Sequence, residues 1–200
     1  MKYLIAGLGN IGDEYANTRH NIGFMIADAF AKVFNVSFST DKLAFITELK
    51  FKGRTFILIK PTTYMNLSGK AVNYWMQHEK IPLENLLVVA DDIALPFGAL
   101  SLKSNGSNGG HNGLKSMQET LGTVNYPRLR FGIGNEFSKG RQVDHVLGEW
   151  TKQESEFLNE QIERAVEAIK SFSTIGIQLT MTNFNKTSPT PTLPKSEREK

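Results

Sequence analysis

The stretch that decides the fold is Leu86-Leu87-Val88-Val89-Ala90, which Asp91-Asp92 follows at once. An unbroken apolar run that includes β-branched residues predicts a strand buried on both faces, as in the interior of a parallel sheet. A similar short run over residues 2–6 ends in Gly7 and predicts a second buried strand. Polar residues that follow such strands lie at the carboxyl edge of the sheet, where ligand sites of α/β proteins gather.

The remaining elements are predicted outward from this strand by apolar periodicity and by turn residues. Strands are predicted over 44–51, 55–60, 100–103 and 128–134, the first two forming a hairpin, and helices over 21–34, 67–79, up to about 121, from 152 onward and over 175–184. Gly122 is expected to end the third helix. Thr151 and Glu154 form a capping-box pattern at the start of the long fourth helix.

Strands that alternate with helices predict an α/β fold. We expect a single-domain three-layer α/β/α sandwich with a mixed, mostly parallel twisted sheet over residues 1–185. Residues 186–200 carry three prolines and alternating charges, a composition that predicts a disordered tail.

The composition narrows the function classes. The chain has 200 residues, of which 40% are hydrophobic, enough for one sizeable core. It has no cysteine, which excludes disulfides, thiolate metal sites and a cysteine nucleophile. No apolar run reaches the ~18 residues of a membrane helix. The apolar run at the amino terminus is too short, and too soon interrupted by Gly7, to be a signal peptide. We therefore expect a soluble, cytoplasmic protein that does not associate with a membrane.

The net charge of +3 is unevenly distributed. Residues 98–141 contain six basic residues and two acidic ones. A local excess of positive charge can guide a polyanion to a nearly neutral protein. Taken alone, the same excess is equally typical of an ordinary solvated face.

The motif Gly7-Leu8-Gly9-Asn10-Ile11-Gly12 matches the G-x-G-x-x-G pattern of dinucleotide-binding folds. That site also requires a helix that begins inside the motif and an acidic residue ~20 positions further on. Here a polar loop follows, and the first acidic residue that could end a second strand is Asp41. The glycines are better explained by a sharp turn that presents Asn10 at the strand end. A dinucleotide-binding oxidoreductase remains an alternative.

His20 lies at the junction between this loop and the first helix, and Asp91 follows the central strand. With no cysteine and no G-x-S-x-G elbow, a hydrolase would need to activate water. Histidine has the side chain whose pKa suits a general base near neutrality. A carboxylate at a strand end is well placed to orient it. The alternatives are a structural histidine and, for Asp91-Asp92, a turn.

Two further segments carry polar side chains at predicted strand-to-helix junctions. In Pro61-Thr62-Thr63-Tyr64-Met65-Asn66, the asparagine could cap the next helix or donate to an oxyanion, and Tyr64 could stack on a base or fill the core. In Asn108-Gly109-Gly110-His111-Asn112-Gly113-Leu114-Lys115, free backbone N–H groups at a helix start would bind an anion. Metal binding through His111 lacks the support of an H-E-x-x-H pattern or a close His/Asp cluster.

Five sequence motifs, taken together, characterise this chain by their order and spacing. They are, in chain order, Gly7-Leu-Gly-Asn-Ile-Gly12 with Tyr15 and Thr18-Arg-His-Asn-Ile-Gly23; Lys60-Pro-Thr-Thr-Tyr-Met-Asn-Leu-Ser-Gly69; Val88-Val-Ala-Asp-Asp-Ile-Ala-Leu-Pro96; Gly109-Gly-His-Asn-Gly-Leu-Lys115; and Arg128-Leu-Arg-Phe-Gly-Ile-Gly134. Their order and spacing resemble those of bacterial-type peptidyl-tRNA hydrolases over about residues 1–185. The resemblance implies a monomeric α/β enzyme that cleaves the ester between a peptide and the 3′ end of tRNA. It implies no metal and no organic cofactor.

The resemblance also implies roles for individual residues. His20 would be the base that activates water, and Asp91 would hold it in the accepting tautomer. The 3′-terminal adenosine, the ester and the first peptide bond would be bound by Asn10, Asn66 and Asn112. The CCA end would be contacted by Tyr15 and Tyr64, with His111 nearby. The phosphates of the acceptor and T arms would be met by Lys103, Lys115 and Arg130.

The chain departs from the family pattern at two places on the expected tRNA side. Asn135-Glu136-Phe137 stands where the family commonly has a His-Pro pair, and Ser101 stands where a basic residue is frequent. These departures bear on tRNA affinity rather than on the chemistry. The second alternative is a non-catalytic RNA-binding relative of the same fold. The presence of all four expected site residues argues against it: Asn10, His20, Asp91 and Asn112.

Overall fold

The computed structural model describes residues 1–185, which contain one seven-stranded sheet. Its strands are β1 (Lys2–Gly7), β2 (Ser39–Asp41), β3 (Ala44–Phe51), β4 (Arg54–Pro61), β5 (Leu86–Asp92), β6 (Leu100–Lys103) and β7 (Arg128–Gly132). The order is β2-β3-β4-β1-β5-β7-β6, and the four central strands are mutually parallel. The pairs β2–β3, β3–β4 and β6–β7 are antiparallel, so five of the seven strands run in one direction. The prediction of a mixed, mostly parallel sheet is confirmed.

Helices cover both faces of the sheet. They are α1 (Ile22–Val33), α2 (Ser68–His78), α3 (Asn112–Leu121), α4 (Gln142–Val146) and α5 (Lys152–Phe184). Alternate residues of β5 enter opposite cores: Val89 packs with α1 and α5, and Val88 packs with α2 and α3. Such a strand is buried on both faces, as the apolar run at residues 86–90 predicts. The three-layer α/β/α architecture is therefore confirmed.

The ends of the helices follow the predicted signals. Gly122 ends α3 in the left-handed conformation, with φ of 67°. At the start of α5, the Thr151 hydroxyl accepts the N–H of Glu154, whose carboxylate accepts the N–H of Thr151. The helix is broken at Gly176, close to the predicted start of a separate last helix at residue 175.

Two short elements of the structure are not predicted from the sequence. Strand β2 has three exposed residues, and α4 has five residues of which none is buried. Neither has the apolar periodicity on which such predictions depend. The predicted disordered tail, residues 186–200, lies outside the described residues. Across residues 1–185, no helix is both long and apolar enough to cross a membrane.

The fold places α1 directly against the carboxyl end of β1. A Cβ atom on Gly7 would lie 2.2 Å from the carbonyl oxygen of Gly23, and one on Gly23 would lie 2.4 Å from the backbone nitrogen of Leu8. Only glycine allows these two backbones to approach so closely. Helix α1 begins at Ile22, well after the glycine motif, so that motif lacks the helix N-terminus that a dinucleotide site requires. The glycines instead bring the start of α1 to the sheet edge.

Candidate active site

The structure brings His20 and Asp91 together at the carboxyl edge of the sheet. His20 lies in a 3₁₀ turn, Arg19–Asn21, and Asp91 lies near the end of β5. Nδ1 of His20 is 2.7 Å from Oδ1 of Asp91. Because an ionised carboxylate can only accept hydrogen bonds, this contact places the ring proton on Nδ1 and leaves a lone pair on Nε2. This is the tautomer that a general base requires.

A second imidazole, that of His111, contacts the same carboxylate oxygen. Nε2 of His111 is 3.0 Å from Oδ1 of Asp91, and the two imidazole centroids are 4.8 Å apart. Nδ1 of His111 accepts the backbone N–H groups of Gly113 and Leu114, at 3.0 and 3.3 Å. Since Nδ1 accepts, the proton of His111 is on Nε2, where it is donated to Asp91. We refer to His20, Asp91 and His111 as the Asp91 cluster.

The environment of Asp91 keeps it ionised. Its side chain is only 3% exposed, and burial alone would raise the pKa of the carboxyl group. The N–H groups that His111 and His20 direct at the carboxylate, through their electrostatic attraction and their hydrogen bonds, outweigh burial and hold the pKa of Asp91 well below its usual range. The cluster therefore contains a carboxylate whose negative charge is available to stabilise a protonated imidazole.

The same three side chains have the residue types of a metal site. Their candidate ligand atoms all lie within 4.8 Å of one another. However, the nitrogens that face Asp91 are hydrogen-bond donors here, and Nδ1 of His111 is occupied by two N–H groups. A metal ion binds only deprotonated ligand atoms, so it would have to displace these protons. The hydrogen bonds favour a cluster that holds protons over one that holds a metal ion.

Asn10 is held by Asn21, a residue next to His20 that the sequence analysis does not assign to the site. Asn21 directly follows His20, and its side-chain oxygen accepts the backbone N–H of Asn10 at 2.8 Å. The Asn21 amide group donates in turn to the carbonyl oxygen of Asn10, also at 2.8 Å. Thus the turn that carries His20 also grips the loop that carries Asn10.

Asn66 and Asn112 lie on segments that pack together through small side chains. A Cβ atom on Gly113 would lie 2.7 Å from Sδ of Met65 and 2.9 Å from a methyl carbon of Leu8. This packing joins the neighbours of Asn66 and Asn112 to the loop that follows β1. The side chain of Asn66 does not cap α2, since Leu67 occupies that position without a side-chain hydrogen bond. Asn66 is therefore left for another role.

An open cleft with a volume of about 120 Å³ lies beside the Asp91 cluster. The glycine-rich loop, residues 107–112, forms one wall, and α4 contributes Gln142, Val143 and Val146 to another. Of the predicted site residues, this cleft is lined by His20, Asp91, His111, Asn112 and Arg130. The other predicted residues do not line it: Asn10, Tyr15, Tyr64, Asn66, Lys103 and Lys115.

The two predicted tyrosines are on the surface rather than in the core. Tyr64 is 80% exposed and directly precedes the 3₁₀ turn Met65–Leu67. Tyr15 is half-buried and ends the turn Asp13–Tyr15. An exposed aromatic ring beside a polar site is suited to stacking on a base. The core-filling interpretation of Tyr64 is excluded by its exposure.

The basic residues predicted to contact phosphates differ in their exposure to solvent and in their ion pairing. Lys103 is exposed at the end of β6, and Lys115 is 63% exposed with Glu119 4.0 Å away. Arg130, in β7, is half-buried and forms an ion pair with Asp92 in the cleft. The carboxylate of Asp92 also accepts the N–H of Ala94, as expected of a turn residue. We refer to Lys103, Lys115 and Arg130 as the basic rim.

Several of the backbone N–H groups predicted to form an anion site at the start of α3 already donate to groups within the protein. Gly113 and Leu114 already donate to the His111 side chain, and Lys115 donates to the His111 carbonyl oxygen. Gly110 donates to the side chain of Asn108. The N–H groups of Gly113 and Leu114 fix the His111 ring, which the glycine-rich sequence pattern could not reveal.

Both departures from the family pattern lie near the basic rim or α4. Ser101 is directly opposite Arg130 in the antiparallel pair of β6 and β7. Phe137 packs its ring on His145 of α4, with 4.9 Å between centroids. Each departure therefore contacts an element that contributes a residue to the cleft: Ser101 pairs with β7, which carries Arg130, and Phe137 contacts α4.

Sequence analysis also missed a buried ion pair next to His20. Arg19 is buried and contacts both carboxylate oxygens of Glu154, at 2.7 and 3.3 Å. Its backbone N–H donates to Gly148, between α4 and α5. The capping-box pattern identified Glu154, but no local signal indicated its long-range partner. The pair joins the turn that carries His20 to the start of α5.

An imidazole that is oriented by a buried carboxylate, beside an open cleft at the carboxyl edge of an α/β sheet, is the arrangement expected in a hydrolase that activates water. A sequence profile described as Peptidyl-tRNA hydrolase matches residues 4–192. The chain belongs to the peptidyl-tRNA hydrolase family. The resemblance found in the sequence motifs is thereby confirmed, and the dinucleotide alternative is set aside.

Individual relatives agree over nearly the whole chain. The peptidyl-tRNA hydrolase of Bacteroides fragilis is 59% identical over 186 residues, which cover 93% of this chain and 100% of that protein. The peptidyl-tRNA hydrolase of Cytophaga hutchinsonii is 56% identical over 185 residues, covering 92% and 98%. The crystal structure of peptidyl-tRNA hydrolase from Acinetobacter baumannii matches with a TM-score of 0.87 at 33% identity, covering 94% of this chain and 96% of that one.

Proposed function

We propose that this chain hydrolyses the ester bond between a peptide and the 3′ end of tRNA by direct attack of a water molecule that His20 deprotonates. Family membership supports the reaction. The observation that carries the mechanism is the 2.7 Å contact between Nδ1 of His20 and Asp91, which leaves Nε2 able to accept a proton. Products are free tRNA and peptide, as in the recycling of prematurely released peptidyl-tRNA.

The reaction proceeds in two steps. Nε2 of His20 takes a proton from water while the water oxygen attacks the ester carbonyl carbon, and Asp91 stabilises the imidazolium that forms. Side-chain amide groups donate to the oxyanion of the tetrahedral intermediate. When the intermediate collapses, the bond to the 3′ oxygen of the ribose breaks, and His20 returns the proton to that oxygen. No covalent bond to the protein forms.

The asparagines and tyrosines near the cluster are assigned to the reacting end of the substrate. Asn10, Asn66 and Asn112 bind the terminal adenosine, the ester and the first peptide bond. A site whose amides require that peptide bond as a partner rejects free aminoacyl-tRNA, because the amides would be left unpaired. The exposed ring of Tyr64 and the half-buried ring of Tyr15 contact the CCA end.

The basic rim is assigned to the phosphates of the acceptor and T arms. Exposed cations near a site raise the affinity for a polyanion and make it dependent on salt.

His111 acts through Asp91, whose oxygen it shares with His20. The enzyme works as a monomer, in the cytoplasm where translation supplies the substrate, without metal or organic cofactor.

The mechanism is tested by His20→Ala with diacetyl-lysyl-tRNA as substrate. General-base assistance is worth about 10²–10⁴-fold, so peptide release should fall by that factor while tRNA binding is retained. His78→Ala, which removes an exposed imidazole at the far end of α2, is the matched control and should release peptide at the wild-type rate. Near-wild-type activity of His20→Ala would show that the mechanism is wrong. Wild-type protein that binds tRNA without releasing peptide would instead be a non-catalytic RNA-binding relative.

A further inference from the structure

We propose that Asn21 is a positioning residue for the reaction, because its side chain sets where Asn10 stands relative to the His20 base. The proposal rests on the function proposed above and assigns a role to a residue outside the set that carries the chemistry. Asn21 itself does not contact the substrate. It acts through the backbone of Asn10.

The carboxamide of Asn21 makes the two hydrogen bonds to the Asn10 backbone that a neighbouring β-strand would otherwise make. It accepts the N–H of Asn10 and donates to its C=O, both at 2.8 Å. An asparagine side chain offers one acceptor and one donor group in the plane of an amide, the same pair that a peptide group offers. Asn21 is 2% exposed, so this contact is shielded from water.

Asn21 makes this contact instead of the local one that its position favours. It stands at the N-cap of α1, where an asparagine side chain ordinarily accepts an N–H of the first helical turn. Here the side chain makes no such bond. The Asn21 side chain therefore lacks the stabilising hydrogen bond of a helix cap and instead bonds to Asn10, eleven positions earlier.

The loop around Asn10 has little else to hold it. The N–H of Leu8 donates to Val89, which is the last sheet-like bond before the loop. Gly9 directly precedes Asn10, and Gly12, two residues after it, has φ of 115°, a conformation that residues with side chains rarely adopt. Among the described residues, the hydrogen bonds to the Asn10 backbone are those from Asn21. Removing them would free the loop to move the Asn10 side chain.

The position of Asn21 in the chain couples this loop to the base. His20 and Asn21 share one 3₁₀ turn, which is closed by the N–H of Asn21 donating to the carbonyl oxygen of Thr18. Asn21 thus links the backbone of Asn10 directly to the turn that carries the His20 ring. Misplacement of a reacting group by about 1 Å can cost about 100-fold in rate.

The chain offers a matched control at β6, an edge strand of the sheet that does not pair with β1. The side chain of Asn185 accepts the N–H of Leu102 at 2.7 Å and donates to its C=O at 2.9 Å, in the same arrangement. Leu102 lies in the edge strand β6, which is separated from β1 by β7 and β5. Asn185→Ala therefore removes the same two hydrogen bonds from a backbone that positions no amide at the ester.

The experiment measures kcat, KM and the unfolding midpoint for Asn21→Ala, Asn10→Ala, the double variant and Asn185→Ala, with diacetyl-lysyl-tRNA. We expect Asn21→Ala to lower kcat by about 10–100-fold and to change KM less. In the Asn10→Ala background the same change should have little further effect, since the two residues act as one unit. Asn185→Ala should keep the wild-type kcat. Asn21→Ser retains a favoured N-cap residue but cannot bridge both groups, so it tests the same loss in a chain that folds.

Three results would overturn the proposal. One is an Asn21→Ser or Asn21→Ala protein with wild-type kcat. Another is a loss of kcat that is equally large with and without Asn10, which would mean that Asn21 acts elsewhere. The third is an Asn10→Ala protein with wild-type kcat, because the clamp would then position nothing of consequence. The proposed function fails separately, if wild-type protein does not release peptide or does so without His20.

Discussion

The Asp91 cluster is largely buried and its side chains contact one another at hydrogen-bond distance, whereas Lys103 and Lys115 of the basic rim are exposed to solvent. In the cluster, each ring proton is placed by a specific acceptor at 2.7 or 3.0 Å. In the rim, the Lys115 side chain is 63% exposed and only loosely paired with Glu119. A charge in the interior interacts more strongly than one in water. The comparison teaches that rate should depend on the cluster, and affinity and salt dependence on the rim.

The largest effect in this comparison is expected from Asp91→Asn. An amide carries no charge to stabilise the imidazolium of His20, and its N–H₂ group favours the wrong tautomer, so kcat should fall by about 10²–10⁴-fold. Single-turnover peptide release measures the change, and tRNA affinity should stay close to that of the wild type. Asp28→Asn removes an exposed carboxylate that pairs with Lys60 and is the matched control. Equal rates of peptide release by Asp91→Asn and Asp28→Asn would show that Asp91 does not contribute to the chemical step.

A second effect is expected on stability in acid. The pKa of Asp91 is lowered in the folded protein, so its contribution is complete above the unfolded value of about 3.9 and is lost as pH falls through the lower folded value. The free energy of unfolding, measured with urea from neutral to acid pH, should therefore drop below about pH 4. The drop should be smaller in Asp91→Asn, which lacks this titrating group. Identical acid profiles for the two proteins would contradict the ionised, buried Asp91.

The smallest effects are expected from single changes in the basic rim. Arg130→Ala and Lys115→Ala should each weaken tRNA binding and reduce the salt slope of log K by about 1, because each removes one phosphate contact. The loss should be greater for Arg130, which is half-buried and less screened than Lys115. Saturating kcat should not change. Lys32→Ala, at the far end of α1, is the control of equal charge, and a tRNA affinity indifferent to salt would refute the rim.

The parts of the site that the sequence predicts are those whose signal is local. Asp91 is found because it ends an apolar strand, and His20 because it begins a helix at the same edge of a parallel sheet. The topology then brings the two together at 2.7 Å, although 71 residues separate them. By contrast, the contact of His111 with the same oxygen depends on how α3 begins, which a glycine-rich pattern does not specify.

Residues with two competing local roles were the hardest to predict. Asn21 could have capped α1, but tertiary packing directs its carboxamide to Asn10. Arg130 could have been a free surface cation, but the register of β7 beside β5 places it next to Asp92. In each case, propensity offers several partners and long-range geometry selects one.

The sequence by itself determined the order of the longer strands and helices, the mixed α/β sheet, the family and the residue types at the carboxyl edge. Apolar periodicity, turn residues and motif spacing, on which these depend, are local properties of the chain. Only the tertiary structure decided which nitrogen of each imidazole carries the proton, which backbone Asn21 grips and which cations of the rim are already paired. Those outcomes depend on distances of about 3 Å between segments far apart in the chain, and hydrogen bonds and ion pairs are decided at that range.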